Sequence, residues 1–163
     1  LHLSLRRQRQ MCIRDRSKFP TGVSIISSLS PDEDIHGMAA NGIMSVSLDP
    51  MLVVISMSNT STSIKYIHKI KKYGINILND TQENIARYYA SPTEDKSNDK
   101  SDLFRFSNNG TPLLKDCLAS MSCDVIYQFV AGDHTLFIGQ VNELYVNKGE
   151  ALLFYNRKFD KID

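Results

Sequence analysis

Apolar residues in this chain fall mostly in short runs of strand period, and in only two stretches do they recur at helical spacing. From Gly22 to Leu29 the run Val-Ser-Ile-Ile-Ser-Ser-Leu is β-branched and partly alternating, which predicts a strand. Pro31-Asp32-Glu33-Asp34 supplies turn residues, so a hairpin is expected to return through Ile35 to Ser47. Met51 to Met57 is apolar on both faces, the pattern of a strand buried on both sides, in a barrel wall covered by a helix or a partner subunit. Ile64, Ile67 and Ile70 repeat at helical spacing over Ile64 to Lys72, and one of the hydroxyls between Ser58 and Ser63 is expected to cap that helix. Tyr73 to Leu78 reads as a strand, Gln82 to Tyr89 as a short helix, and 91–109 as a polar loop with a turn near Leu103 to Phe106. Leu113 to Cys117 precedes three closing strands, Ser120 to Phe129, Thr135 to Val146 and Ala151 to Arg157. The expected fold is mainly β with short helices, an antiparallel barrel; dominance of strands excludes a doubly wound α/β sheet.

Length and charge narrow the function classes. A chain of 163 residues fits one domain and buries about 68–70% of the surface it exposes when unfolded. With 19 basic against 18 acidic residues, a nucleic-acid partner has no electrostatic support from the overall balance. No apolar run approaches the roughly 18 residues of a membrane-spanning helix, so no membrane partner is expected. Cys12, Cys117 and Cys123 form neither a disulfide framework nor a metal-ligand pair, which favours a reduced, cytoplasmic setting. No pair of histidines has metal-ligand spacing with a carboxylate or cysteine, so no metal is expected. Glycine-rich phosphate fingerprints are absent, as is the Gly-x-Ser-x-Gly elbow of serine hydrolases. Residues 1–16 are rich in arginine and unlike the remainder; Arg7 to Asp15 resembles translated sequencing-adapter sequence. We therefore take 1–16 as a tail that is non-native or disordered, and 17–163 as the domain.

Within that domain, Gly37 to Pro50 carries small residues and hydroxyls where a strand would carry bulk. Ala39, Ala40 and Gly42 would let backbone approach a flat ligand, and Ser45 and Ser47 would point to the same side of an extended chain. The same residues equally suit an ordinary small-residue strand and turn. Lys65 in the first turn of its helix opposes the preference for acids there, a conflict that an anion at the helix N-terminus would relieve; a solvated lysine beside a capping cluster is the plainer alternative. His134 follows Gly132-Asp133 at the start of an alternating strand, where a tight turn would hold the imidazole at a rim.

The order Phe19-Pro20-Thr21-Gly22-Val23, Gly37-Met38-Ala39-Ala40-Asn41, Ser45-Val46-Ser47-Leu48-Asp49-Pro50 and Gly132-Asp133-His134-Thr135 resembles the flavin reductase-like family over roughly residues 18–158. The resemblance implies an antiparallel Greek-key split β-barrel and hydride transfer from NAD(P)H to FMN, or to FAD, with reduced flavin passed to a partner monooxygenase. It implies a homodimer with flavin near the subunit interface. It places Asn41, Ser45, Val46 and Ser47 along the flavin ring and ribityl chain, Ser58, Ser61 and Ser63 toward the phosphate, Phe104 at the pocket wall and His134 as the catalytic residue facing the nicotinamide. Met38 and Gly42 stand where many relatives carry Thr and Ser, and Met51 replaces the second proline of a frequent Asp-Pro-Pro. The same barrel would also suit a flavin- or haem-binding module without nicotinamide chemistry, or a reductase of a small organic substrate.

Overall fold

The computed structural model describes residues 17–91 and 100–161. The expected tail, His2 and Cys12 lie outside the described residues, as does part of the 91–109 loop. Among the described residues the order is β1 (Thr21–Gly22), β2 (Ser24–Leu29), β3 (Ile35–Ala40), β4 (Ile43–Leu48), β5 (Met51–Ser58), α1 (Thr62–Ile70) and β6 (Lys72–Ile77). There follow α2 (Glu83–Ala90), β7 (Phe104–Phe106), β8 (Pro112–Leu114), β9 (Ala119–Ala131), β10 (His134–Val146), β11 (Leu152–Tyr155) and β12 (Lys158–Lys161). Seven strands form one antiparallel sheet in the order β3-β2-β6-β9-β10-β5-β4; β1, β11 and β12 form a second sheet, and β7 and β8 a hairpin.

That strand order requires closure. Seven strands laid flat would separate the outer two by about 29 Å, at 4.8 Å per strand. Yet β3 and β4, the two edges, are joined by Asn41 and Gly42 alone, a link that spans at most roughly 11 Å. The sheet therefore curls into a barrel split between its first and last strands. The single returning strand expected from Ile35 to Ser47 is in fact two strands on opposite edges. Gly42 makes the crossing possible: its carbonyl accepts from the Ser56 amide at 2.8 Å, and an added Cβ would lie 3.2 Å from the Ser56 Cβ.

Two apolar clusters sit on the two faces of β2. Ile26 joins Ile55, Tyr73, Ile75 and Phe137 in the first, where α1 contributes Ile64 and Ile67. Ile25 joins Leu78, Ala86, Tyr89, Phe104 and Leu114 in the second, under α2 and the β7–β8 hairpin. The strands buried on both faces are thus β2 and β6. In the single chain β5 buries Val53, Ile55 and Met57 and leaves Leu52, Val54 and Ser56 half-buried and Met51 exposed, so the cover expected over Met51 to Met57 is the part that falls to a partner subunit rather than to a helix of this chain. Within one chain nothing covers its second face fully.

Helix α1 starts two residues before its expected position and ends at Lys71, which adopts a left-handed conformation with φ 60° and donates its amide to the Ile67 carbonyl. Ser61 stands at the cap position, but its hydroxyl makes no capping bond and instead donates to the Met38 sulfur at 3.1 Å. The expected side-chain cap is absent, and the Ser61 hydroxyl is turned toward Met38 on β3 instead.

Burial also sets the alkaline limit of the fold. It pushes the Cys123 thiol from 9.0 up to about 12, with the Asp124 carboxylate adding to the effect, and raises the Tyr73 hydroxyl well above its ordinary 10.0. The native state keeps these protons at a pH where the unfolded chain releases them. Their stabilisation is therefore complete below about pH 9 and is lost as pH rises toward 12, by up to about 1.4 kcal/mol per pH unit for the thiol. Guanidinium unfolding at pH 8 and pH 10 should show the midpoint fall; equal midpoints would mean that Cys123 titrates like an exposed thiol.

Candidate functional site

The end of β5, the start of α1 and the start of β10 meet at one rim of the barrel. His134 pairs directly with Ser58 across the β5–β10 ladder, and side chains of directly paired residues share a face. Asn59 locks the two turns together. Its amide donates to the Asp133 carbonyl at 2.9 Å, its side-chain nitrogen donates to the Gly132 carbonyl at 3.3 Å, and its side-chain oxygen accepts from the Thr135 hydroxyl at 2.7 Å. Gly132 takes φ +65°, the left-handed conformation that a glycine adopts without strain and that this tight turn requires. The His134 Nδ1 lies 2.7 Å from an Asp133 carboxylate oxygen. A neutral imidazole donating through Nδ1 to that carboxylate presents Nε2 as an acceptor.

Beside this rim the first turn of α1 carries no acidic residue, and the early backbone amides of a helix lack partners within it. Ser58 and Thr60 share a hydroxyl–hydroxyl bond of 2.9 Å. Ser63 is only 6% exposed and lines an adjoining groove. A hydroxyl lining the groove beside open helix amides suits an anion such as a phosphate. The groove, about 1110 Å³, runs from Ser61 and Ser63 along Gly37 and Met38 to the end of α2. A separate cleft of about 500 Å³ is lined by Phe19, Thr21, Asn41, Gly42, Phe154 and Arg157, and there the Asn41 side chain donates to the Thr21 hydroxyl at 3.3 Å.

The residues singled out in the sequence therefore fall into distinct places. Ser58, Ser61, Ser63 and His134 gather at the rim. Asn41 lies in the smaller cleft, and Ser45, Val46 and Ser47 lie on the edge strand β4. The ladder between β4 and β5 slips between Ser45 and Ser47, which pair with Val53 and Leu52, neighbours on opposite faces of β5. Val46 is the extra residue of this bulge, so Ser45 and Ser47 do not share a side as an uninterrupted strand would dictate. Phe104 is 5% exposed in the second apolar cluster, against Tyr89. The neighbouring Phe106 lines the groove instead. Sequence reading missed Asn59, Asp133 and Thr135. Asn59 had a legible signal: a side chain with both a donor and an acceptor, between an apolar strand and a helix start, is suited to bridging turns.

Fold and site together define the split-barrel flavin reductases. Residues 16–163 match the flavin reductase-like domain family, and the chain belongs to that family. The NADH-dependent flavin reductase of Rhodococcus sp is 37% identical over 149 residues, covering 90% of this chain and 82% of that protein. The reductase component of the flavin-dependent trigonelline monooxygenase of Acinetobacter baylyi is 32% identical over 139 residues, covering 85% of this chain and 44% of that protein. Among solved structures, the flavin reductase PheA2 superposes with a TM-score of 0.86 at 34% identity, covering 94% of this chain and 97% of that one.

Proposed function

We propose that this protein is an NADH-dependent flavin reductase that takes FMN, with FAD as the alternative, and passes reduced flavin to a separate monooxygenase. The observation that carries the reading is the bridge made by Asn59, which sets an anion-suited helix start and the His134 turn at one rim. Flavin, when bound, supplies the two-electron acceptor for hydride from the nicotinamide. The chain's part is to hold and orient. The amides of α1 and the Ser63 hydroxyl bind phosphate, Ser58 and Ser61 flank it, and the His134 Nε2 accepts from the nicotinamide carboxamide. Asn41, Val46 and one of Ser45 and Ser47 are proposed to meet the ring and ribityl chain, since the bulge at Val46 turns the two serines to opposite sides. The relationship to a monooxygenase reductase component supports the partner. Oxidation of NADH by purified protein, with and without added FMN, tests the activity; no oxidation under either condition would overturn it.

The phosphate contact makes its own prediction. Ser61→Ala with Ser63→Ala should weaken FMN binding by about 1–3 kcal/mol, the worth of lost charge-assisted hydrogen bonds. Riboflavin, which has no phosphate, should bind almost as before. Equal losses for both ligands would place the phosphate elsewhere.

We also read the protein as a homodimer. On β4, Met44 is 63% exposed and Leu48 89%, and Met51 at the start of β5 is 44% exposed, a concentration of apolar side chains on one barrel edge that a second subunit would cover. An obligate interface of this kind buries about 2,000 Å² or more. Light scattering should give twice the chain mass at micromolar concentration, and a monomer mass with flavin bound would refute the reading. No described helix is long and apolar enough to cross a membrane, and the burial of Cys117 and Cys123 as free thiols supports a reduced, cytoplasmic setting.

A further inference from the structure

The hydroxyl at the start of α1 that would flank a phosphate is engaged by a methionine. Ser61 donates to the Met38 sulfur at 3.1 Å and makes no bond to the helix amides through its side chain. Met38 is held there from behind, since it pairs with Ile26 across the β2–β3 ladder and packs against the first apolar cluster. It also lines the groove of about 1110 Å³, as Ser61 does. Met38 is half-buried, whereas Met57 is 0% exposed. Met44 and Met51, 63% and 44% exposed, do not line the groove. Met38 is thus the methionine whose sulfur touches the start of α1 and whose side chain borders open space.

A thioether sulfur is a weak hydrogen-bond acceptor. A phosphate oxygen receives a charge-assisted bond roughly twice as strong as one between neutral groups, so the Ser61 hydroxyl leaves the sulfur when phosphate arrives. Oxidation changes that balance. Methionine sulfoxide is polar, and its oxygen sits on the atom that Ser61 already faces. The phosphate must then break a stronger bond to win the hydroxyl, and its oxygens meet the negative end of the S–O dipole. An oxidant arises from the chemistry of the site itself. Reduced flavin that meets dioxygen before a partner enzyme returns to oxidised flavin and yields hydrogen peroxide. In attack on a thioether the peroxide O–O bond breaks, one oxygen forms the S–O bond and the other leaves as water; sulfur gives up an electron pair. We propose that Met38 is a modification site at which hydrogen peroxide forms the sulfoxide, and that the sulfoxide holds Ser61 away from the phosphate and lowers the affinity for phosphate-bearing flavin.

The inference rests on the phosphate reading of α1. The test treats the full chain with hydrogen peroxide, locates sulfoxide at each methionine by peptide mass, and titrates FMN and riboflavin by fluorescence before and after. The Kd of FMN should rise about tenfold while that of riboflavin stays within about twofold. Methionine sulfoxide reductases, one for each epimer, should restore the FMN value. Met38→Leu, which keeps the size and removes the sulfur, should abolish the response, and Met44→Leu with Met51→Leu should retain it. The cysteines remain in Met38→Leu, so a response that survives there belongs to another residue and overturns the proposal. Equal losses of FMN and riboflavin after oxidation would do the same, as would the absence of sulfoxide at Met38 under conditions that oxidise Met44. Untreated Ser61→Ala with Ser63→Ala tests the phosphate reading by itself. If that variant weakens FMN alone while peroxide leaves FMN binding to the wild type unchanged, the modification has no effect and the phosphate site stands; equal losses of FMN and riboflavin in that variant overturn both.

Discussion

Asn76→Leu is expected to lower the stability of the folded protein by about 2–6 kcal/mol, from about 1–3 kcal/mol for each buried polar group left without a partner. Asn76 is fully buried on β6. Its side-chain nitrogen donates to the Ile25 carbonyl and to the Ser27 hydroxyl, both at 2.9 Å, and its oxygen accepts from the Leu114 amide at 2.7 Å. Ser27 in turn donates to the Pro112 carbonyl at 2.6 Å. One side chain thus ties β2, β6 and β8 together where the sheet passes beneath the β7–β8 hairpin. Leucine matches its size but strands the Leu114 amide and removes a donor from the Ile25 carbonyl. Gly74, two residues earlier on β6, shows how closely the hairpin lies: an added Cβ there would stand 2.6 Å from the Pro112 carbonyl oxygen. Against a typical total of about 5–15 kcal/mol, the loss is a large fraction. Thermal melting should register it as a fall of roughly 2–4 °C per kcal/mol in a domain of this size. A loss below about 1 kcal/mol would mean that water reaches and satisfies the stranded groups.

The fold class was legible because its signals are local. Alternation marks the strands, the Ile64, Ile67 and Ile70 spacing marks α1, and the four ordered motifs carry the family resemblance. What stayed hidden depends on contacts distant in sequence. Ile35 to Ser47 reads as one strand because nothing local to Asn41-Gly42 reveals that β3 pairs with β2 while β4 pairs with β5. The apolar run from Met51 to Met57 suggests burial on both faces, whereas β2, with serines at Ser24, Ser27 and Ser28, is the strand so buried. Its serines are tolerated inside because some, like Ser27, find partners on other strands. For the site, hydroxyl clusters and the Gly-Asp-His-Thr motif located the rim. The bulge at Val46 separated Ser45 from Ser47, and a shift of two residues put Phe106 rather than Phe104 in the groove. Neither displacement leaves a mark on periodicity, since one extra residue changes a strand's facing without changing its composition.

His134→Ala should lower kcat/KM for NADH by about 10- to 100-fold, the worth of one positioning contact of about 1.4–2.8 kcal/mol in the transition state, and leave flavin affinity nearly unchanged. The structure gives reasons for both halves of that expectation. The imidazole stands at the rim with its side chain 37% exposed, and its Nδ1 meets the carboxylate of the adjacent Asp133. Truncation therefore leaves the apolar clusters and the anion-suited start of α1 intact, so the melting temperature should hold. Asp133 adds a second test. By accepting from Nδ1 it orients the imidazole and, in a neutral ring, keeps the proton on Nδ1 so that Nε2 is the acceptor; Asp133→Asn, which retains an acceptor oxygen, should cost less than Asp133→Ala. A histidine that served only to brace the turn would behave otherwise, since its loss would lower thermal stability and weaken flavin and nicotinamide handling together. Stopped-flow reduction of bound flavin by NADH, read beside a flavin titration and a melting curve of each variant, separates the two. Unchanged reduction kinetics in His134→Ala would remove this residue from hydride transfer and leave the Asn59 bridge as a structural clamp alone.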